Sequence, residues 1–455
     1  MTRGAGLREI PYQNPLDLFA KLSEDREHIF LLESAEGPQR LAEFSFVGFN
    51  PEKLILVKDR GVEILGKDNR VVTRTDDPLE AVREEVQASR VTYDQSRFIG
   101  GAVGYISYDA VRYWEELPHR AVDDPAFPDL EVGIYSDGVV FDHARRTAYY
   151  YYLEENRFNE VEEHLRKRSV GRDDTFRFSE PESNISQHDF EESVRKGKAY
   201  ITEGDIFQVV LSRRYTFGFH GSLMNFYRAL HRINPSPYMY FLKHGERQLV
   251  GSSPEMLVRV EKGLVETFPI AGTRPRVEDA DQNRLLAEEL LSDPKERAEH
   301  LMLVDLARND VGRVCAYGTV TVPEFMTTHQ YSHVQHIVSR VVGHLAPDYD
   351  CFDALRAVLP AGTVSGAPKV RAMEIIEELE PTTRGPYAGA VGYFSRNGNA
   401  DFAITIRTLV ADGERASIQV GAGIVADSKP EREWLETEQK AEGLMKALRQ
   451  AGEPM

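Results

Sequence analysis

A chain of 455 residues exceeds what one hydrophobic core organises, since single cores stop growing at about 250–300 residues, and two lobes are expected. Its formal net charge of −18 speaks against a nucleic-acid or anionic-membrane footprint, because both need clustered positive charge. Cys315 and Cys351 are the only cysteines, too few for a disulfide framework, an all-cysteine zinc site or an iron–sulfur cluster. No apolar run approaches bilayer-spanning length, so the expectation is a cytoplasmic protein that engages neither membrane nor nucleic acid.

Residues 53–74, KLILVKDRGVEILGKDNRVVTR, alternate in short β-rich runs broken by Asp-Arg-Gly and Lys-Asp-Asn, the pattern of a meander. The stretch 131–156 repeats that style, which predicts a first lobe over 1–165 made mainly of antiparallel sheet. The polar, charged segment 166–188 reads as a linker, and 189–450 as the catalytic domain. That domain opens with an amphipathic helix, a Gly-Asp turn and a strand, and later alternates helices with hairpins such as the one turned by Arg-Asn-Gly-Asn at 396–399. Antiparallel neighbours with segregated helices define an α+β fold.

Several motifs carry candidate chemistry. In SDPKERAEHLMLVDLARND, 292–310, Asp293 is the predicted N-cap, Pro294 the first helical residue and Glu296 the capping-box acid. Glu299 has no capping role, yet it shares a face with Leu303 and Leu306. A second E-x-x-E pair, Glu433 and Glu436, borders the apolar stripe Trp434, Ala441, Leu444, Leu448 of the last helix, whose predicted cap is Ser428 with Glu431. Oxygen-only donors suit Mg²⁺, although ion pairs with Arg297 and Lys440 account for the same spacing. LPAGTVSGAPK, 359–369, predicts a tight turn of small residues before a helix, with the hydroxyls of Thr363 and Ser365 exposed. GAGIVADS, 421–428, lacks the surrounding βαβ unit of a dinucleotide site, so its glycines are read as permitting close approach of a carboxylate to backbone amides. His329, His333 and His336 have no acidic or cysteine partner at ligand spacing, which favours a single substrate-facing histidine over zinc.

Taken together, GDIFQVVLSRR, GSSPEMLVR, FPIAGTRPR, DLARND, LPAGTVSGAPK, RGPYAGAVGY, AITIRT, GAGIVADS and EWLETEQKA resemble, in order and over almost the whole chain, the chorismate-utilising enzyme family. The resemblance implies a two-lobed antiparallel β-sandwich with helices packed outside. It implies Mg²⁺ held by Glu299 and Glu436, with Glu296 and Glu433 in support, on the ring carboxylate of chorismate. Glu255 would be the general acid at the leaving C4 hydroxyl, and His336 would stand near the departing enolpyruvyl group. Arg407, Tyr387 and Gly423 would bind the pyruvyl carboxylate, with Gly272, Thr273, Thr363, Gly421, Ala422 and Lys440 lining the site. Gln208 stands where water-activating relatives carry lysine, and Ala271 where amine-transferring relatives do, which leaves ammonia as the nucleophile and anthranilate with pyruvate as the products. A separate glutamine amidotransferase subunit would supply the ammonia, in a heterotetramer. Leu32, Glu33 and Ser34 with Pro235, Pro237, Tyr238 and Met239 would form a site for tryptophan as feedback inhibitor. Aminodeoxychorismate or aminodeoxyisochorismate as product, and a non-catalytic tryptophan-binding regulator, stay open as alternatives.

Overall fold

The strands pair antiparallel into two large sheets, as the alternating runs predict; short parallel contacts, between Arg177–Phe178 and Glu453–Pro454 and at the isolated bridge of Val122 with Thr382, depart from this. The computed structural model describes residues 5–34, 43–67, 69–123, 127–167, 175–330 and 334–455. One sheet passes from Gly6–Ile10 through Thr147–Tyr152, Asp137–Asp142, Phe44–Phe49 and His28–Glu33 to Tyr238–His244, and on through Arg247–Ser253, Thr408–Asp412 and Arg415–Ile424 to Gln208–His220. The other passes from Ile270–Pro275 through Val334–His344, Leu264–Thr267, Met256–Glu261 and Ala400–Ile404 to Ala390–Ser395, where Gly101–Ile106, Leu130–Tyr135, Lys53–Lys58, Gly61–Gly66 and Arg70–Arg74 follow.

Each half of the chain therefore fills one end of both sheets. The halves join edge to edge, His28–Glu33 against Tyr238–His244 and Gly101–Ile106 against Ala390–Ser395. Within 175–188, Arg177–Phe178 and Glu182–Ser183 pair onto the strand Gln208–His220, while residues 168–174 lie outside the described residues.

Period-two alternation sends one set of side chains inward and the other outward. The inward set, including Phe30, Phe46, Phe98, Tyr105, Tyr135, Tyr240 and Tyr393, is the layer between the sheets. Phe30 meets Tyr135 edge-on at 4.7 Å, a geometry worth about 0.5–1.5 kcal/mol beyond burial. The outward sets are covered by helices: Pro15–Ser23, Met224–Ile233 and Pro430–Ala451 on one face, Glu80–Ala88, Pro294–Gly312 and Cys351–Val358 on the other. Both cysteines are buried and free.

Candidate active site

At the end built by the second half of the chain, a cavity of about 240 Å³ lies between the two sheets. Gln419, Val420, Gly421 and Gly423 face it from the strand Arg415–Ile424 and Val210 from Gln208–His220; Ile270 to Thr273 and His336 face it from the edge strands of the other sheet. Thr363, Tyr387, Arg407, Lys440 and Glu255 complete the wall. The structure thus brings together Glu255, His336, Lys440, Gly272, Thr273, Thr363, Tyr387, Arg407, Gly421 and Gly423.

Two glycines explain why the strands can do this. Register between Ile270–Pro275 and its partner slips between Ala271 and Arg274, and Gly272 takes φ +66°, a region costly for any residue with a Cβ. The slip turns the Gly272 carbonyl toward His336, whose Nδ1 donates to it at 2.7 Å. That bond assigns the ring proton to Nδ1 and the lone pair to Nε2, while burial and the neighbouring Arg407 charge hold the imidazole below its usual pKa. On the opposite wall, a Cβ at Gly423 would stand 2.6 Å from Gln208 Nε2, so glycine is what lets the Gln208 amide pack behind that wall; Gln208 is not itself among the residues lining the cavity. Gln208 Oε1 is buried with no hydrogen-bond partner.

Glu255 sits between the turn Gly362–Val364 and the cavity, accepting from Thr363 Oγ1 at 2.9 Å. Removal from water pushes its carboxyl up to about 7, against the opposing pull of the Thr363 hydroxyl and the Lys440 charge. A group at that value is half protonated at neutral pH, which suits a general acid. Lys440 donates to the Gly421 carbonyl at 2.9 Å and pairs with Glu436 at 2.8 Å. Arg407 makes no ion pair within the described residues; burial lowers its pKa and its backbone holds φ +52°, a strained setting of the kind found at ligand clamps. A desolvated guanidinium beside a tyrosine hydroxyl is a site for a carboxylate.

The acidic helices flank the cavity. Asp293 caps Pro294–Gly312, accepting from the Lys295 and Glu296 amides, but Glu296 faces Arg274 at 3.5 Å and stands beside Gly272. Burial first, then the charges of Glu296 and Glu436, raise the pKa of Glu299; burial and Glu436 raise that of Glu433. Glu299 and Glu433 make no ion pair among the described residues, whereas Glu296 and Glu436 do. Among the described residues no three acidic, histidine or cysteine side chains converge enough to hold a metal alone. Carboxylate oxygens are the donors Mg²⁺ takes, one or two at a time with several waters and an anionic substrate.

Three sequence-based expectations are corrected. Ser428 does not cap the last helix: with Pro430 at its first position the cap is Lys429, and the Ser428 hydroxyl serves Val425 N and Glu433 instead. Ser365 is buried, its hydroxyl donating to Ala361 O at 2.8 Å, so of the two hydroxyl residues only Thr363 lines the cavity. Ala422 lies one residue from Gly421 and Gly423, and its methyl falls on the other sheet face, among Val209 and Leu211. His329 sits across the hairpin from His336 and contacts Glu324 at 3.2 Å; His333 lies outside the described residues.

A support beneath the site has no signal in the sequence. Arg384 binds Glu380 through two bonds, Glu380 accepts from Ser212, and Ser212 accepts from Gln419, which faces the cavity.

Where the halves join, a smaller cavity of about 40 Å³ is lined by Leu32, Glu33, Ser34, Pro237, Tyr238 and Met239, and also by Arg97, Arg259, Tyr393 and Asp401. Pro235 is not among its lining residues. Met239 and Glu33 are cross-strand partners; the Met239 side chain packs in the cluster under the outer helices, and Tyr227 Oη donates to Glu33 at 2.7 Å.

A sequence profile of the chorismate binding enzyme family matches residues 27–446, and the chain belongs to that family. It is 47% identical to anthranilate synthase component 1 of Methanothermobacter thermautotrophicus over 98% of this chain and 94% of that protein. The protein of the same name from Aquifex aeolicus is 45% identical over 97% and 93%. The crystal structure of anthranilate synthase component I from Streptococcus pneumoniae superposes with a TM-score of 0.79 at 38% identity, covering 90% of this chain and 93% of that one. The menaquinone-specific isochorismate synthase of Escherichia coli shares the fold, with a TM-score of 0.72 at 21% identity.

Proposed function

We propose that this enzyme converts chorismate and ammonia to anthranilate and pyruvate, as the names of its relatives indicate. The observation that carries the reading is the juxtaposition of the desolvated acid Glu255 with Arg407, a half-buried cation without an ion-pair partner among the described residues, in one 240 Å³ cavity. Arg407 and Tyr387 bind the pyruvyl carboxylate. Ammonia attacks C2 from the side of Gln208, whose amide is no base and leaves water unactivated. The C4 hydroxyl leaves as water with the proton of Glu255. Loss of the C2 proton and of enolpyruvate, near His336, then gives the aromatic ring.

Mg²⁺, held by Glu299 and Glu436 with Glu296 and Glu433 behind them, would neutralise the ring carboxylate. Lys440 reaches both the Gly421 carbonyl and Glu436, tying the acidic helix to the cavity wall. The ammonia comes from a separate glutamine amidotransferase subunit in a heterotetramer. Tryptophan inhibits from the junction of the halves; a cavity of about 40 Å³ is smaller than an indole side chain, so its binding moves Tyr238 or neighbouring side chains and thereby the halves. The test is to incubate the purified chain with chorismate, Mg²⁺ and ammonium and follow anthranilate fluorescence and pyruvate. Equal amounts of both are expected; isochorismate, aminodeoxychorismate or aminodeoxyisochorismate as the main product, or no turnover, overturns the reading.

A further inference from the structure

A second cavity adjoins Glu255. It encloses about 40 Å³ between the helix Pro294–Gly312 and the turn Gly362–Val364, and Glu255 and Thr363 line both it and the substrate cavity. Leu303, Leu306, Ala307 and Val358 make much of its wall, which also includes Asp310. Lys369 Nζ holds the Asp310 carboxylate at 2.7 Å and donates to Val358 O at 3.1 Å. About 10% of the Asp310 side chain is exposed, so this carboxyl links the cavity to the surface. A water needs roughly 10–15 Å³ of such space and two or more polar partners, so the cavity has room for about three, with carboxyl groups among its walls.

The placement decides what this space serves. Glu255, on the side of the leaving hydroxyl, lines it as well as the substrate cavity, whereas Gln208 lines neither. Resting on the function proposed above, Glu255 gives up one proton per turnover while chorismate fills the substrate cavity and closes that route to solvent. Burial pushes the Glu255 carboxyl up to about 7 and raises that of Asp310, against the opposing pull of Lys369.

We propose that the cavity behind Glu255 holds a short water chain that reloads this acid from Asp310, making Asp310 a positioning residue for proton supply. As the C4–O bond breaks, its electron pair stays on oxygen, which takes the Glu255 proton and leaves as water. A water of the chain then protonates the Glu255 carboxylate, each water passes one proton along, and Asp310 makes good the last transfer from solvent. The proton shed by the new C2 ammonium returns to solvent, so protons balance over the cycle.

The experiment compares single-turnover with steady-state rates of anthranilate formation, using stopped-flow fluorescence with saturating chorismate, Mg²⁺ and ammonium. Ala307→Leu fills the cavity and Asp310→Asn keeps its shape while removing the exchangeable proton. In a first turnover Glu255 is already loaded, so that rate stays near wild type, while the steady-state rate falls about tenfold and its solvent deuterium isotope effect grows. A lesion that merely disturbs packing slows both phases together. The proposal is overturned if the ratio of the two rates is unchanged in both variants, whether both rates hold or both fall; should one variant not fold, the other decides. A wild-type enzyme that makes no anthranilate would instead remove the function on which the proposal rests.

Discussion

The substrate cavity and the cavity at the junction of the halves are both lined by strands of the two sheets, yet their charges are in opposite conditions. In the first, Glu255 is desolvated to about 7 and Arg407 has no ion pair among the described residues. In the second, Arg259 already pairs with Asp401 at 2.7 Å, Tyr238 donates to the same carboxylate at 3.0 Å, and Glu33 accepts from Tyr227. Unpaired, desolvated groups lining a cavity are poised to meet a substrate's charges, and paired ones resist change until a ligand reorganises them. On the function proposed here, chemistry belongs to the first region and control to the second.

Removing the acid breaks the comparison hardest. Glu255→Gln should lower kcat by about 10²–10⁴, with chorismate KM little changed, in steady-state assays of anthranilate. The same change should stabilise the fold above neutrality. The native carboxyl keeps until about 7 the proton that the unfolded chain, at 4.5, has already released, so wild-type stability falls as pH rises through that window. Melting temperatures at pH 4 and pH 8 check this: the variant's advantage should be present at pH 8 and absent at pH 4.

The flanking carboxylates come next. Glu299→Gln and Glu436→Gln should each cost more than the roughly 10–100-fold typical of groups behind a metal ligand, and raising Mg²⁺ should recover part of the loss. Activity close to wild type would remove both residues from the metal site. Arg407→Leu should raise chorismate KM by about 10–100-fold, the worth of a hydrogen bond to a charged group, with a smaller change in kcat. At the junction the expected effect on uninhibited rate is smallest. Ser34→Ala should relieve tryptophan inhibition and leave the rate without tryptophan within about twofold, while chorismate and tryptophan weaken each other's binding equally, as linkage requires.

Much of this was legible in the sequence because it depends on near neighbours. Helical periodicity puts Glu296 with Glu299 and Glu433 with Glu436, and strand alternation puts Gly421 and Gly423 on one face; the same alternation turns Ala422 away, which a motif match overlooks. The cap of the last helix was misread by one residue because Pro430 fixes where the helix begins. The network Arg384–Glu380–Ser212–Gln419 was not legible, since Ser212 and Glu380 stand 168 positions apart and meet only through the sheet. The charges Arg97, Arg259 and Asp401 meet at the junction only through the fold, for the same reason. The desolvation of Glu255 is likewise a product of tertiary packing, and in GSSPEMLVR it is one acid among many.

The central claim, a desolvated acid working opposite an ammonia-derived nucleophile, is tested most directly by the pH dependence of kcat/KM for chorismate at constant free ammonia. Anthranilate and pyruvate should form in equal amounts at every pH, and kcat/KM should be level on the acid side and fall about tenfold per unit above about 7, as Glu255 loses its proton. A profile flat through pH 9, or one whose break persists in Glu255→Gln, would contradict it.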